Sequence, residues 1–175
     1  NPCAPAERPS IGALMSVNGP IARSVADTRL GLQMMAQPDP RDPNNIPNPA
    51  SGRTHIDTPK IGITTDPFGD GVDPEIAKSV QIAAAALRDL GFPVTEIDPP
   101  SATRTAELWG ELLFTEAKHT AAPLIEQHGS PEMNTLFTNY SASFRELDTP
   151  GLIAALSERI TLQRQWAQMF EGIDI

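Results

Sequence analysis

A chain of 175 residues, 39% hydrophobic and only 5% aromatic, carries enough apolar material for one domain or a large slice of one, built from Leu, Ile, Val, Ala and Met. Its 22 acidic against 13 basic side chains leave a formal charge of −9, without the concentration of Lys and Arg that phosphate binding needs, so nucleic acid is excluded as a partner class. Cys3 is the single cysteine, which excludes an internal disulfide and a cysteine-based metal cage. With no apolar run of about 18 residues and no leader-like start, no membrane partner and a cytoplasmic location are expected.

Residues 1–15 read as irregular, because Pro2, Pro5 and Pro9 leave little room for helix or paired strand. Gly19-Pro20 is a sharp local break. Ser24 then stands three residues before Asp27, the pattern of a helix start, and Val25, Thr28, Leu32 and Met35 come after it at helical spacing. This surface helix, over residues 24–36, should close before Pro38. Residues 38–59 form a second irregular passage, punctuated by Pro38, Pro40, Pro43, Pro47, Pro49 and Pro59, and read as a surface wrap around a larger body.

Lys60-Ile61-Gly62-Ile63-Thr64-Thr65 reads as a short buried strand. Asp73 followed by Pro74 is an N-cap with proline at the first helical position, and Gly91 is a stop signal. Between them Ile76, Val80, Ala83, Ala84, Leu87 and Leu90 form one apolar stripe. Pro93-Val94-Thr95-Glu96-Ile97 is a second strand, which makes residues 60–98 a βαβ unit. From Ser101 the chain turns helical, with Leu108, Trp109, Leu112, Leu113 and Ala117 on one side of the first helix. Pro123, Gly129 and Pro131 break the next stretch into short pieces. Thr149-Pro150 opens a long last helix whose expected stripe is Ile153, Leu156, Ile160, Gln163, Ala167 and Phe170. Ile173-Asp174-Ile175 has the look of an opening strand, and both ends read as cuts through a longer protein.

Chemistry-bearing residues are sparse. Lys60, Lys78 and Lys118 are the lysines, and Lys78 lies off the apolar face of its helix, where solvation is expected. His55, His119 and His128 are too scattered to make a ligand pair, so no metal is expected. Gly69-Asp70-Gly71 reads as a flexible turn rather than a phosphate loop. Glu116, three residues after Leu113 and seven after Trp109, sits near the apolar stripe of its helix. If buried it would have a raised pKa and could orient a substrate amide or ammonium; at the stripe's edge it would pair with a cation or face water.

The run Gly19-Pro20-Ile21-Ala22-Arg23-Ser24-Val25-Ala26-Asp27, the helix after it, and the exit Ala36-Gln37-Pro38-Asp39-Pro40-Arg41-Asp42 resemble the segment that comes after the catalytic core of amidase-signature hydrolases. That family carries Gly-Pro-x-Ala-Arg-Ser/Thr-Val-x-Asp, a helix, then Ala-Gly-x-Asp-x-x-Asp. Gln37 departs where the family usually has glycine, and Asn18 where many members have an aspartate nearby. The βαβ stretch is similar to the same family, including Asp89-Leu90-Gly91-Phe92-Pro93-Val94.

The resemblance implies an α/β fold, a slice of the amidase-signature mixed sheet in which a βαβ unit is flanked by several helices. The expected divisions are a proline-rich wrap with one capped helix (1–59), the βαβ unit (60–98) and a helical region (99–175), together one partial domain. It implies a small-molecule amide substrate, no cofactor, and serine acyl-enzyme chemistry from a serine, a second serine on a cis peptide and a lysine. Those residues lie in a Gly/Ser-rich stretch and on an earlier helix, and this sequence has no such stretch. No catalytic residue is therefore assigned here, and the chain alone is expected to be inactive. Trp109, Leu113, Phe114 and Glu116 are the candidate pocket-lining residues, against helix packing as the plainer role. Two other readings stand beside this one. One is a slice of a glutamyl-tRNA amidotransferase catalytic subunit, disfavoured because Lys118-His119-Thr120-Ala121-Ala122 comes after Glu116-Ala117 in place of that subunit's Asn-Leu-x-Arg-Tyr/Phe-Asp-Gly. The other is a small non-catalytic α/β binding domain. Exposed strand edges imply either a homodimer through them or a partner that covers them.

Overall fold

A computed structural model describes residues 8–39 and 58–175. Cys3, His55 and most of the 38–59 passage lie outside these described residues. The chain divides into two compact units, Asn1–His55 and Ile56–Ile175.

In the first unit, helix α1 (Ser10–Met15) forms where irregular chain was expected. Pro9 is its N-cap, where the missing N–H would have had no helical partner, and the Pro9 carbonyl accepts from Ala13 N–H at 2.8 Å. Proline here starts a helix rather than preventing one. Helix α2 (Val25–Met35) has the capping read from sequence: Ser24 Oγ accepts from Asp27 N–H at 3.1 Å, and the helix ends one residue before Ala36. None of its residues is buried, as befits a surface helix.

The second unit is mostly helical around a small parallel sheet. Strand β1 (Ile61–Ile63) pairs in parallel with β2 (Val94–Glu96), Ile61 opposite Val94, and helix α3 (Pro74–Asp89) joins them. Asp73 Oδ1 accepts from Glu75 N–H at 2.8 Å at the start of α3, with Pro74 in the first turn. At its end Gly91 adopts a left-handed φ of +89°, a conformation that costs glycine nothing. The α3 stripe is narrower than expected: Ala84 is fully buried and Val80 and Leu87 half-buried, but Ile76 and Leu90 are exposed.

The chain's last residues add to this sheet on the other side of β1. Ile175 N–H donates to Lys60 O (3.2 Å) and Ile175 O accepts from Gly62 N–H (2.8 Å), bracketing Ile61 as a parallel ladder does. Asp174 reinforces the pairing, with its N–H on Lys60 O and its carboxylate accepting from Lys60 N–H. β1 is thus central, and a side-chain carbon on Gly62 would lie 2.8 Å from both Ile97 and Ile173.

Four helices come after β2: α4 (Ala102–Thr120), α5 (Ala122–His128), α6 (Pro131–Ala142) and α7 (Thr149–Met169). Their breaks fall at Pro123, Gly129 and Pro131, as the sequence indicates. The N-cap of α7 is Asp148, whose Oδ1 accepts from Gly151 N–H at 2.8 Å, one residue earlier than expected. Its expected stripe is largely on the outside: Ile153, Ile160 and Phe170 are exposed, whereas Ala155 and Leu162 are buried. Periodicity marks α7 as apolar on more than one side but does not choose between them. The face that meets α4 carries the buried Ala155 and Leu162, and Arg104 on α4 binds both oxygens of Glu158 beside them, at 2.7 and 2.8 Å. Ser101 Oγ to Gln165 Oε1 (3.1 Å) extends the same seam.

Candidate functional site

Helix α4 is the organising element of the helical region. Leu108, Gly110, Glu111, Leu112, Phe114 and Thr115 are its buried residues, with Leu112 only 1% exposed. Burial of Gly110 and Thr115 among them requires something to lie flat along the helix, and residues 144–147, between α6 and α7, do so. A side-chain carbon on Gly110 would overlap the Phe144 ring. Arg145 Nε donates to Glu111 Oε1 at 3.2 Å, and Lys118 Nζ to Glu146 Oε2 at 2.7 Å. Leu147 N–H donates to the buried Thr115 Oγ1 at 2.9 Å. Ring, charge and hydroxyl along one side of α4 thus seat four consecutive residues.

Seating Phe144 assembles an aromatic cluster. Its ring stacks on Phe114 at 5.3 Å and 8°, and Trp109 meets both edge-on at 6.4 Å. From α6, Phe137 and Tyr140 lie 5.9 and 5.7 Å from Phe114. The only tyrosine of the sequence and three of its six phenylalanines meet here. Beside them lies a wholly apolar hollow of ≈ 260 Å³ lined by Phe114, Met133, Leu136, Phe137 and Tyr140.

Behind the cluster is an ion-pair network. Glu111, 8% exposed, receives Arg104 Nη2 at 3.1 Å as well as Arg145. Arg104 also contacts Glu107 (3.3 Å) and Glu158. Hydrogen bonding to Glu158 is the largest influence raising the Arg104 pKa, and the reciprocal bond from Arg104 holds Glu158 below the ordinary carboxylate range. These groups fix α4, α7 and the 144–147 segment to one another.

Of the four residues singled out in the sequence, Trp109 and Phe114 are brought together in the cluster, and Phe114 lines the hollow. Leu113 and Glu116 are half-buried and do not line it. The deeply buried carboxylate of α4 is Glu111, five residues earlier, which sequence reasoning missed. So were Phe137 and Tyr140, although their spacing of three on one helix was there to be read, and Phe144, which lies beyond the end of α6 where no helical spacing marks it. Among the described residues no group of three or more His, Cys, Asp or Glu could hold a metal ion, and no helix is long and apolar enough to cross a membrane.

The parallel βαβ unit and its helical flank are consistent with the amidase-signature slice that the run around Ser24 resembles. The profile of the Amidase family matches residues 2–175, and the chain belongs to that family. It is 32% identical over 175 residues to an indoleacetamide hydrolase of Bradyrhizobium diazoefficiens, covering all of this chain and 33% of that protein. An amidase of Pseudomonas putida is 29% identical over 163 residues, 90% of this chain and 34% of the relative. A glutamyl-tRNA(Gln) amidotransferase subunit of Picosynechococcus is 38% identical, but over 90 residues, 47% of this chain and 19% of that subunit. The chain spans about a third of the length of the indoleacetamide hydrolase and the amidase that it matches.

Proposed function

We propose that this chain is part of an amidase that hydrolyses a small-molecule amide through a serine acyl-enzyme, with the nucleophile and its partners outside these 175 residues. The observation that carries the reading is a family match over residues 2–175 combined with a sequence that has no Gly/Ser-rich stretch to supply nucleophile and oxyanion hole. In this reading the chain contributes the substrate-facing wall on α4, from Trp109, Leu113, Phe114 and Glu116, and is inactive by itself. The end-to-end match to an indoleacetamide hydrolase, against a match over 47% of the chain to the amidotransferase subunit, favours a stand-alone amidase over the partnered enzyme.

The test is ammonia release from a panel of small primary amides, indoleacetamide included, by the 175-residue chain and by a longer protein that contains it. The longer protein is expected to turn over, and to lose activity when the serine of its Gly/Ser-rich stretch is replaced by alanine; the chain alone is expected to release none. Turnover by the chain alone would overturn the proposed division of labour, and a longer protein indifferent to the serine would overturn the chemistry. Self-association belongs to the same proposal. Among the described residues β1 is flanked on both sides whereas β2 pairs on one, which leaves an outer edge for a second copy. Sedimentation of the isolated chain is expected to show a dimer.

A further inference from the structure

Trp109 and Phe114 stand five residues apart on α4, a spacing that turns a helix by about 140° and puts two side chains on different faces. Neighbours along one face are three and four residues apart. Their rings nevertheless lie 6.4 Å from each other at 87°. Phe144 is what joins them. It stacks on Phe114 at 5.3 Å, meets Trp109 edge-on at 6.4 Å, and occupies the space over Gly110 where a side-chain carbon would overlap it. It is carried there by its neighbours, with Arg145 on Glu111 (3.2 Å) and Leu147 N–H on the buried Thr115 Oγ1 (2.9 Å). Trp109, by contrast, is 43% exposed, so α4 presents an indole whose orientation is set by the two rings beneath it.

We propose that Phe144 is a positioning residue for the substrate: it fixes the indole of Trp109 in the wall that α4 presents, and acts through that ring. The part played by the wall rests on the function proposed above; the hold of Phe144 on Trp109 does not. An edge-on ring pair favours one arrangement over its alternatives by up to about tenfold. Without Phe144 the indole loses one of its two edge-on partners, and the other, Phe114, loses its stack. An indole already fixed has lost its rotamer freedom before the substrate arrives, so its release weakens binding. A wall remote from the reacting carbon holds ground and transition states alike, which places the effect in KM rather than kcat. It also makes the effect grow with the length of the acyl group that meets the indole.

The test is steady-state hydrolysis of hexanamide and acetamide by the longer protein that contains this chain. Phe144→Leu, which removes the ring and keeps apolar bulk, is expected to raise KM for hexanamide about three- to tenfold with kcat little moved. The ratio of hexanamide to acetamide kcat/KM should fall by the same factor, whereas a merely structural loss would lower both alike. Gly110→Ala, which displaces the same ring with Phe144 intact, is expected to match it. In a Trp109→Ala background Phe144→Leu should add nothing to KM. A second measurement needs no turnover. In the 175-residue chain Trp166→Phe leaves Trp109 as the single tryptophan, and Phe144→Leu is expected to remove most of its near-UV circular dichroism, with the far-UV spectrum confirming the fold. An unchanged ratio in a folded variant, a change carried by kcat alone, additivity with Trp109→Ala, or an unmoved indole band would each overturn the proposal. A longer protein that hydrolyses neither amide would overturn the amide-hydrolysis reading instead, and the indole band would still decide whether Phe144 sets Trp109.

Discussion

The ring of Phe144 occupies the space that a side-chain carbon on Gly110 would fill. Mid-helix glycine is ordinarily a weakness of about 0.5–1 kcal/mol relative to alanine. Here it admits the stack on which the aromatic cluster is built, and overpacking there costs about 1–3 kcal/mol. The second magnitude wins. Gly110→Ala is therefore expected to lower stability by about 1–2 kcal/mol in urea unfolding. In a Phe144→Ala background the same change should be neutral or stabilising. Additive effects of the two substitutions would show that they do not share that space.

Glu111 and Glu146 separate buried from exposed ion pairing on one helix face. The Glu111 side chain is 11% exposed, but Arg145 opposite it is 68% exposed and Arg104 keeps Glu158, so Glu111→Ala strands no buried charge and should cost about 1 kcal/mol, chiefly from two lost hydrogen bonds. Glu146 is half exposed opposite Lys118, where solvent screens the attraction. Glu146→Ala is expected to leave the urea midpoint almost unmoved, despite its shorter contact of 2.7 Å. Equal effects at the two sites would contradict this ordering.

Acid should loosen the α4–α7 seam. Hydrogen bonding from Arg104 lowers the Glu158 pKa below its ordinary 4.5, so the folded state binds fewer protons than the unfolded state near that pH. The stabilisation is therefore fully present above 4.5 and lost as pH falls through the depressed folded value. Glu158→Gln should be less stable than the parent at neutral pH, with the gap closing below about pH 4.5. A gap constant from pH 7 to pH 3 would remove Glu158 from the acid limb.

Gly62 is the corresponding test for the sheet. Alanine there would press on Ile97 and Ile173 and push residues 173–175 away from β1. Hydrogen exchange should speed up at the amides of Asp174 and Ile175, which bond across that edge, while Asp73-capped α3 keeps its protection. Unchanged exchange at both amides would mean that the two isoleucines repack without releasing the edge.

Signals legible in the sequence were those carried by neighbours. Ser24 reaches Asp27, Asp73 reaches Glu75, and Gly91 closes the turn just behind it, all within a few residues. Such contacts form in any context that allows a helix, so caps, breaks and the βαβ order could be read directly, as could the amidase-like run around Ser24. Pro9 shows the limit even of local reading: the same residue that forbids a helix interior is at home at a helix start.

The sequence by itself determined where most helices and strands start and stop, α1 excepted, because those signals are local hydrogen bonds and steric exclusions. Only the tertiary structure decided which face of each element meets another. Arg145 finds Glu111 across 34 positions, Arg104 finds Glu158 across 54, and Lys60 finds Asp174 across 114. An apolar stripe on α7 offers several faces of similar hydrophobicity, and packing against α4 buries the one that carries Ala155 and Leu162, with Glu158 beside them on Arg104. For the same reason Glu111 rather than Glu116 became the deeply buried acid: burial of a carboxylate requires arginines brought from elsewhere in the chain. The hollow beside Phe114 exists only once α6 and the 144–147 segment have been drawn onto α4, an arrangement that no spacing within one helix encodes.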